Sequence, residues 1–299
     1  MPPAASGTSE GAINVVSRSC DEAIRVRWLG HPITLVTSHA ETGSAYSLVL
    51  TSVSPGQGMK ARIHFNEAIA YYLLEGNLQL FAGGSDFHLA AGESVYIPAA
   101  MAQRFHNPGS QTAWLVMVCA PGGYDRYLLD SSSPEAGSVD NPPPITARDL
   151  DRVKVLAHQY RIDLYPGPET FKDKPGTPVA RACHRKDDTS GDAYCRLLAG
   201  IELTGGAFSL LEATLPSGTQ IPRYSRENET EALFVLEGEI VVQAGESPIT
   251  ASTRHFFQFP PHMPRAYGNS SGQESRFLLL ATPNGFDPGF SEHFAAGHS

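Results

Sequence analysis

Cysteine is scarce in this sequence, and its spacing argues against two common kinds of structural site. The four cysteines are Cys20, Cys119, Cys183 and Cys195. They lie far apart and form no CxxC pair, whereas zinc sites and disulfide frameworks use closely and regularly spaced cysteines. We therefore predict free thiols in a reducing compartment.

Long apolar runs and basic clusters are also missing. Nowhere do 18 apolar residues run together, and the N-terminal MPPAASGTSEGA has no basic region before an apolar one, so we predict neither a membrane span nor a signal peptide. The formal net charge is −9, without a run of Lys or Arg, which argues against nucleic-acid and anionic-membrane partners. The sequence thus predicts a cytoplasmic protein with a small-molecule partner.

Two further kinds of active site have no sequence support. No glycine-rich phosphate loop is present, and no Ser or Cys stands in a recognisable nucleophile motif. The glycine pairs at 83/84, 122/123 and 205/206 are interpreted as turns.

What the chain does contain is an internal repeat. Gly56 to Gly76, GQGMKARIHFNEAIAYYLLEG, occurs again as Gly218 to Gly238, GTQIPRYSRENETEALFVLEG, at an offset of 162 positions. The same offset joins five further pairs: Gly43/Gly205, Pro98/Pro260, Asn107/Asn269, Pro121/Pro283 and Gly123/Gly285. The chain is therefore a duplication.

Short runs rich in β-branched and aromatic residues alternate with Gly, Pro, Ser and Asn in both halves. Examples are IRVRWL, PITLVTS, YSLVLTSV, LQLFAG, SVYIPA and AWLVMVCA. This spacing predicts an antiparallel all-β sandwich or barrel. Gly76-Asn77 and Gly238-Glu239 are placed where a tight hairpin turn would join consecutive strands.

We predict an N-terminal domain over residues 13–130, a linker and helix over 131–165, and a C-terminal domain over 166–299. SSSPEAGSVDNPPPI is interpreted as an exposed, non-helical connector. Thr146 with Asp149 resembles a helix start, and apolar residues at helical spacing continue to Tyr160. This amphipathic helix is expected to cover a barrel.

The repeated spacing resembles the first motif of the cupin family, in which a Gly is followed by ligand positions that normally hold His, His and Glu. GESVYIPAAMAQRFHN and the segment ending PPHMPRAYGN resemble the second motif, where a further His is expected. The tails CAPGGYDRYL and ATPNGFDPGF, with VKVLAHQYRIDLYPGP between the halves, are similar to quercetinase-type bicupins. The resemblance covers roughly residues 30 to 295. It implies two tandem cupin domains, jelly-roll-like β-barrels with a few short helices, and a mononuclear metal oxygenase.

The four family ligand positions, however, hold other residues. In the first half they are Arg62, His64, Ile69 and Gln103, and in the second half they are Tyr224, Arg226, Glu231 and Arg265. Metal sites need imidazoles and carboxylates, and an arginine repels a cation. We therefore predict no metal cofactor; the alternative is one divalent metal at His64. His106 is predicted to face away from Gln103.

In the first half, four residues are the predicted catalytic set. His64 would shuttle a proton, Arg62 would stabilise an enolate or phenolate, and Gln103 and Tyr71 would orient the substrate. Either a substrate anion or Glu67 would have to balance the charge of Arg62. Ile69, Leu73 and Phe105 are predicted to line the same pocket. The alternative interpretation is a buried structural His beside an Arg that reaches the surface.

In the second half, Tyr224, Arg226, Glu231 and Arg265 are candidate substrate-binding residues. The two arginines would hold a carboxylate or phenolate while Tyr224 or Glu231 moves a proton. The interpretation we favour is that Glu231 pairs with both guanidiniums, so that an internal network fills the site.

Three functions remain open from the sequence. The first is a metal-independent enzyme that catalyses the isomerisation of, the cyclisation of, or an elimination from a phenolic or polyketide-type small molecule. The second is a quercetinase-like metal-dependent dioxygenase, and the third is a non-catalytic binding protein. A homodimer is plausible in each case.

Overall fold

The computed structural model describes residues 15–134, 144–164, 181–183 and 193–286. It is built almost entirely from antiparallel β-strands, as the sequence predicts. The strands up to the inter-domain region are β1 Val16–Ser19, β2 Ile24–Trp28, β3 His31–Thr37, β4 Ser47–Val53, β5 Gly58–His64, β6 Ala68–Glu75, β7 Asn77–Ala82, β8 Ser85–Ala90, β9 Ser94–Ile97, β10 Ala102–His106, β11 Ala113–Ala120 and β12 Ser133–Pro134.

The remaining strands follow in chain order. They are β13 Ile162–Leu164, β14 Arg181–Cys183, β15 Tyr194–Ala199, β16 Ser209–Leu215, β17 Gln220–Tyr224, β18 Thr230–Glu237, β19 Glu239–Gln243, β20 Ile249–Ser252, β21 His255–Phe259, β22 Arg265–Gly268 and β23 Ser275–Thr282. The helices are short: a 3-10 turn at Cys20–Glu22, α1 Tyr124–Ser131, α2 Ala147–Gln159 and α3 Ile201–Thr204.

Each half forms a barrel of two facing sheets. The first barrel joins the sheet β12-β2-β3-β4-β11-β6-β9-β14 to the sheet β13-β5-β10-β7-β8. The second joins β1-β21-β18-β23-β16-β15 to β17-β22-β19-β20. One apolar cluster fills each barrel, and a third, which includes Leu48, Tyr72 and Phe234, lies where the two large sheets pack against each other.

Strand β11 shows why strands of the large sheets have nearly continuous apolar sequences. Leu115, Met117 and Cys119 belong to the cluster inside the first barrel, while Val116 and Val118 belong to the cluster between the barrels. Because successive side chains point to opposite faces, both faces of this strand are buried and both need apolar residues.

The predicted hairpins at Gly76 and Gly238 are wrong. Strand β6 pairs with β9 and β11, whereas β7 pairs with β8 and β10, so Gly76 carries the chain from one sheet to the other. Gly238 does the same between β18 and β19. Gly76 has φ 82°, and a Cβ there would lie 2.9 Å from the Ala113 backbone, so this corner requires glycine.

The two barrels exchange one short strand each. Strand β1 pairs with β21 of the second barrel, and β14 pairs with β9 of the first. Strands β9 and β21 are equivalent in the repeat, so the exchange is reciprocal. The predicted domain boundaries stay a prediction.

Helix α2 confirms the predicted helix start. Thr146 and Asp149 bond each other's backbone N–H groups, and Val153 and Ala157 pack on the core of the first barrel. The predicted connector departs from expectation at its beginning, because Ser131 is the buried last residue of α1 and Ser133–Pro134 form β12. The connector from 135 to 143, and the chain beyond 286, lie outside the described residues.

Cys20, Cys119 and Cys195 are free thiols, as predicted. Among the residues that the structure describes, no helix is long and apolar enough to cross a membrane.

Candidate functional site

The predicted catalytic residues of the first half come together inside the first barrel. Arg62 and His64 end β5, and Gln103 on β10 lies directly opposite Arg62 in the antiparallel pairing. Tyr71 on β6 reaches them from the facing sheet. All four side chains are buried.

One chain of hydrogen bonds connects these four side chains. Arg62 Nε donates to His64 Nε2 at 3.1 Å, and Arg62 Nη2 donates to the Tyr71 hydroxyl at 2.9 Å. The Tyr71 hydroxyl then donates to Gln103 Oε1 at 2.8 Å. The Arg62 guanidinium also lies 5.1 Å from the centroid of the Phe105 ring.

Ile69 and Leu73 are buried in the core of the same barrel. They lie on β6 at alternate positions with Tyr71, as the strand period predicts. His106 is exposed, so its ring lies away from this cluster, also as predicted. The alternative interpretation, an Arg62 that reaches the surface, does not hold because Arg62 is 2 % exposed.

Arg62 carries a buried positive charge that no described carboxylate neutralises. No Asp or Glu among the described residues lies within salt-bridge distance of it, and its Nη1 has no hydrogen-bond partner there. Glu67, the predicted counter-ion, instead lies 3.9 Å from His64, measured from Oε2 to Nδ1. A buried charge is costly unless it is paired, so Arg62 favours an anionic ligand.

The environment changes the expected protonation of His64 and Glu67. Burial, and then the charge of Arg62, hold the pKa of His64 well below its usual value. His64 is therefore neutral at pH 7, with Nε2 accepting from Arg62, and it does not titrate in the physiological range as the unperturbed residue would. Burial raises the pKa of Glu67 to about 7.

Tyr124 belongs to this site, although sequence reasoning did not select it. Its ring packs edge-on against His64, with 4.6 Å between centroids, and its buried hydroxyl has no partner among the described residues. Tyr124 begins α1 within the repeated tail CAPGGYDRYL, so a comparison of the two tails could have found it.

The second barrel places its four candidate residues around one carboxylate. Glu231 Oε1 accepts from Tyr224 at 2.7 Å and from Arg265 Nε at 2.8 Å, while Oε2 accepts from Arg226 Nε at 2.6 Å. Tyr267, which sequence reasoning missed, donates to the same Oε1 at 2.5 Å. Burial would raise the pKa of Glu231, but Arg265 and then Arg226 outweigh it and lower the pKa to about 2.

The two sites are related residue by residue through the offset of 162. Phe286 corresponds to Tyr124, and it packs on Arg226, with 4.3 Å from the guanidinium carbon to the ring centroid, as Tyr124 packs on His64. Tyr267 corresponds to Phe105. The essential difference is that the second site contains its own anion, Glu231, where the first has Ile69.

Neither set of residues fits a transition-metal ion. In the first barrel the Nε2 lone pair of His64 is used by Arg62, and in the second barrel Glu231, the one carboxylate of the four candidate residues, is held by two guanidiniums. Across the described part of the chain, no group of three or more His, Cys, Asp or Glu side chains is arranged to hold a metal.

Comparison with known proteins agrees with the fold and with the repeat. Residues 49–119 and 211–281 each match the Cupin domain family. The chain is a bicupin.

Relatives of this bicupin by sequence include two named proteins. Quercetin 2,3-dioxygenase of Bacillus subtilis (strain 168) is 20% identical over 271 residues, which cover 86% of this chain and 79% of that protein. Polyketide synthase CurC of Streptomyces cyaneus is 26% identical over 134 residues, which cover 45% of this chain and 82% of that protein.

Solved structures share the fold of this bicupin at low identity. Oxalate decarboxylase from Bacillus subtilis superimposes with a TM-score of 0.60 at 14% identity, covering 93% of this chain and 78% of that one. Procruciferin, an 11S globulin from Brassica napus, gives 0.61 at 13% identity, covering 91% and 85%.

Proposed function

We propose that this bicupin is a metal-independent enzyme whose first barrel performs acid–base chemistry on a phenolic or polyketide-type small molecule. The reaction class is isomerisation, cyclisation or elimination, in which a proton leaves one atom of the substrate and an enolate or phenolate forms. Arg62 stabilises that anion, while His64, Gln103 and Tyr71 orient the substrate.

The observation that carries this proposal is the uncompensated charge of Arg62. The guanidinium is buried, and Nη1 has no partner among the described residues. In the second barrel the corresponding space holds Glu231, which supplies an internal anion. The first barrel therefore suits an anion that comes from outside the chain, and Ile69, Leu73 and Phe105 are apolar residues of the same barrel interior.

Relatives support the substrate class. One is named for a reaction on quercetin, and the other for polyketide synthesis. Both names point to oxygenated aromatic or polycarbonyl compounds, which form stabilised anions when they lose a proton. A cytoplasmic location, a possible homodimer, and the absence of nucleic-acid and membrane partners stay predictions from the sequence.

A second candidate is a metal-dependent dioxygenase, which the alignment to quercetin 2,3-dioxygenase over most of the chain favours. The donor set opposes it, because the one imidazole at a family ligand position accepts a hydrogen bond from Arg62. The third candidate is a binding protein. It differs from the two candidate enzymes because it converts no substrate to product.

The test uses protein purified without chelators, with quercetin and a panel of phenolic ketones as probes. Metal content, oxygen uptake and product mass are measured in air and in oxygen-free buffer, with and without EDTA. We expect sub-stoichiometric metal and products of unchanged oxidation level that form without oxygen and in the presence of EDTA. Arg62→Gln should abolish turnover, while Arg104→Gln, an exposed substitution on β10, should not.

Two results would contradict the proposal in different ways. Stoichiometric metal with oxygen uptake that EDTA abolishes identifies a dioxygenase. Binding of quercetin without any product across the panel identifies a binding protein.

A further inference from the structure

A second group of polar side chains adjoins the site on the side of α1. Glu67 lies in the turn between β5 and β6, and Asp125 lies in the first turn of α1. Both carboxylates are buried, with exposures of 5 % and 1 %, and each has one oxygen without a hydrogen-bond partner among the described residues: Oε2 of Glu67 and Oδ1 of Asp125.

The start of α1 packs on the Glu67 carboxylate and carries Asp125. A Cβ built on Gly123, two residues before Asp125, would lie 3.3 Å from Glu67 Oε1, so the Glu67 carboxylate packs directly on this segment. The negative charge of Asp125 adds to burial in raising the pKa of Glu67. Two carboxylates in one desolvated place favour a proton on one of them.

His39 holds Asp125 in this arrangement. The backbone N–H and Nδ1 of His39 both donate to Asp125 Oδ2, at 3.1 Å and 2.7 Å. About a quarter of the His39 side chain is exposed, whereas that of Asp125 is fully buried. Asp125 is thus anchored by a residue that reaches the surface.

On the other side, Glu67 faces the proposed substrate site. Its Oε2 lies 3.9 Å from His64 Nδ1, which has no hydrogen-bond partner among the described residues, and the ring of His64 contacts Tyr124. Around His64, the donors Arg62 Nη1, His64 Nδ1 and Tyr124 OH and the acceptor Glu67 Oε2 thus all lack a hydrogen-bond partner among the described residues. That set suits a ligand with an oxygen anion next to an acidic C–H or O–H group.

We propose that Glu67 is the residue that exchanges a proton with the substrate, and that Asp125, anchored by His39, is a positioning residue for it. This inference rests on the proposed function of the first barrel. The substrate C–H or O–H bond breaks, the proton forms an O–H bond with the Glu67 carboxylate, and the electron pair stays on the substrate beside Arg62. The proton then returns to a different substrate atom, or to the leaving group, so no oxidant or reductant is needed.

His64 is less suited to this role. Its Nε2 accepts from Arg62, and the adjacent guanidinium opposes a second positive charge on the ring. Arg62 and His39 aside, the ionisable groups around Glu67 and its neighbours include Cys119 on β11, Tyr71 on β6 and Tyr124 on α1. Each is a neutral acid with a raised pKa, so the Glu67 carboxyl is the group that changes charge most readily near neutral pH.

The first experiment measures the protonation of Glu67 in the free protein, without any substrate. Protein labelled with carbon-13 at the glutamate side-chain carboxyl is titrated by NMR, and the Glu67 resonance is identified by its loss in Glu67→Gln. Glu229→Gln, at the equivalent position of the second barrel, is the matched control. We expect a midpoint near pH 7 that moves to lower pH in Asp125→Asn and does not move in Asp151→Asn, an exposed change of the same charge on α2.

The second readout uses whichever phenolic ketone of the panel is turned over. Glu67→Gln should reduce kcat at least a hundredfold with KM changed only a few-fold, and Asp125→Asn should shift the acid limb of the pH–rate profile with the Glu67 midpoint. A Glu67 midpoint in the ordinary carboxyl range, or full turnover by Glu67→Gln, would overturn the inference. Metal-dependent turnover would overturn the proposed function instead, and the two failures are therefore distinguishable.

Discussion

At the scale of single residues, the two barrels show two ways to accommodate arginine in a cupin interior. In the second barrel, Glu231 takes four hydrogen bonds from Tyr224, Arg226, Arg265 and Tyr267. In the first barrel, the hydrogen-bond partners of Arg62 among the described residues are neutral groups. One arrangement is internally paired and the other is not, which is why we assign the chemistry to the first barrel.

This pairing predicts a large effect of Glu231→Gln on stability. Removing the charge breaks the ion pair with Arg265, whose side chain is fully buried, and breaking a buried ion pair in this way costs about 3 to 5 kcal/mol. Urea unfolding at pH 7 measures the loss, and Glu229→Gln, a partly exposed position nearby, should change stability by less than about 0.5 kcal/mol. A Glu231→Gln protein as stable as the wild type would show that the network contributes nothing.

The same carboxylate predicts the direction of the pH dependence. Its pKa is lowered from 4.5 to about 2 by the two arginines, so its contribution to stability is complete above pH 4.5 and is lost as the pH falls towards 2. The difference in unfolding free energy between wild type and Glu231→Gln should therefore shrink between pH 5 and pH 2. A difference that stays constant over this range would exclude Glu231 as its source.

The sequence predicts which side chains lie together where the two-residue period of a β-strand determines their direction. Arg62, His64, Tyr71 and Gln103 were grouped correctly, because alternation along β5 and β6 and the repeat register fix which side chains face inward. Glu67 and Tyr124 lie in a turn and at a helix start, where no period indicates direction. Their positions depend on how α1 packs across the end of the barrel.

At the scale of elements, the exchanged strands β1 and β14 close the open edges of the large sheets. Strand β1 covers β21, and β14 covers β9. The sequence predicted the long strands from their β-branched runs, but these two strands are only four and three residues long. Which edge such a strand joins is decided by tertiary packing, and periodicity carries no information about it.

Removal of β1 should therefore weaken the second barrel. A protein that begins at Cys20 loses the backbone bonds to β21 and the Arg18–Glu41 ion pair, and it exposes a bare sheet edge. We expect its Tm to fall on the order of 5 °C and its aggregation to increase with concentration. The control begins at Val15 and keeps β1. Calorimetry measures the Tm and light scattering measures the aggregation of both proteins. Equal values for the two would show that β1 does not protect the β21 edge of the sheet.

At the scale of the whole molecule, the duplicated halves pack through their large sheets like two subunits of a dimer. The shared cluster combines Leu48, Tyr72 and Val116 of the first barrel with Phe208, Phe234 and Leu278 of the second. Tyr96 and Phe208 contact across it, with 6.2 Å between ring centroids, and Arg276 of the second half donates to the Tyr72 hydroxyl at 3.0 Å. The outward faces of both large sheets therefore bury apolar residues, as their inward faces do.

This arrangement predicts that the first half is not stable alone as a monomer. A fragment of residues 1–160 exposes the apolar outer face of β4, β6 and β11 and lacks β14, and exposed apolar surface of this extent drives association. We expect light scattering coupled to size exclusion to show dimers or larger aggregates, whereas co-expression with residues 161–299 should restore one complex with one copy of each fragment. Substitution of Phe208, fully buried at the same interface, by Ala in the intact chain should cost about 3 to 5 kcal/mol without changing its oligomeric state. A monomeric, cooperatively folded 1–160 fragment would mean that the first barrel is stable alone, and that its apolar outer face is not needed for folding.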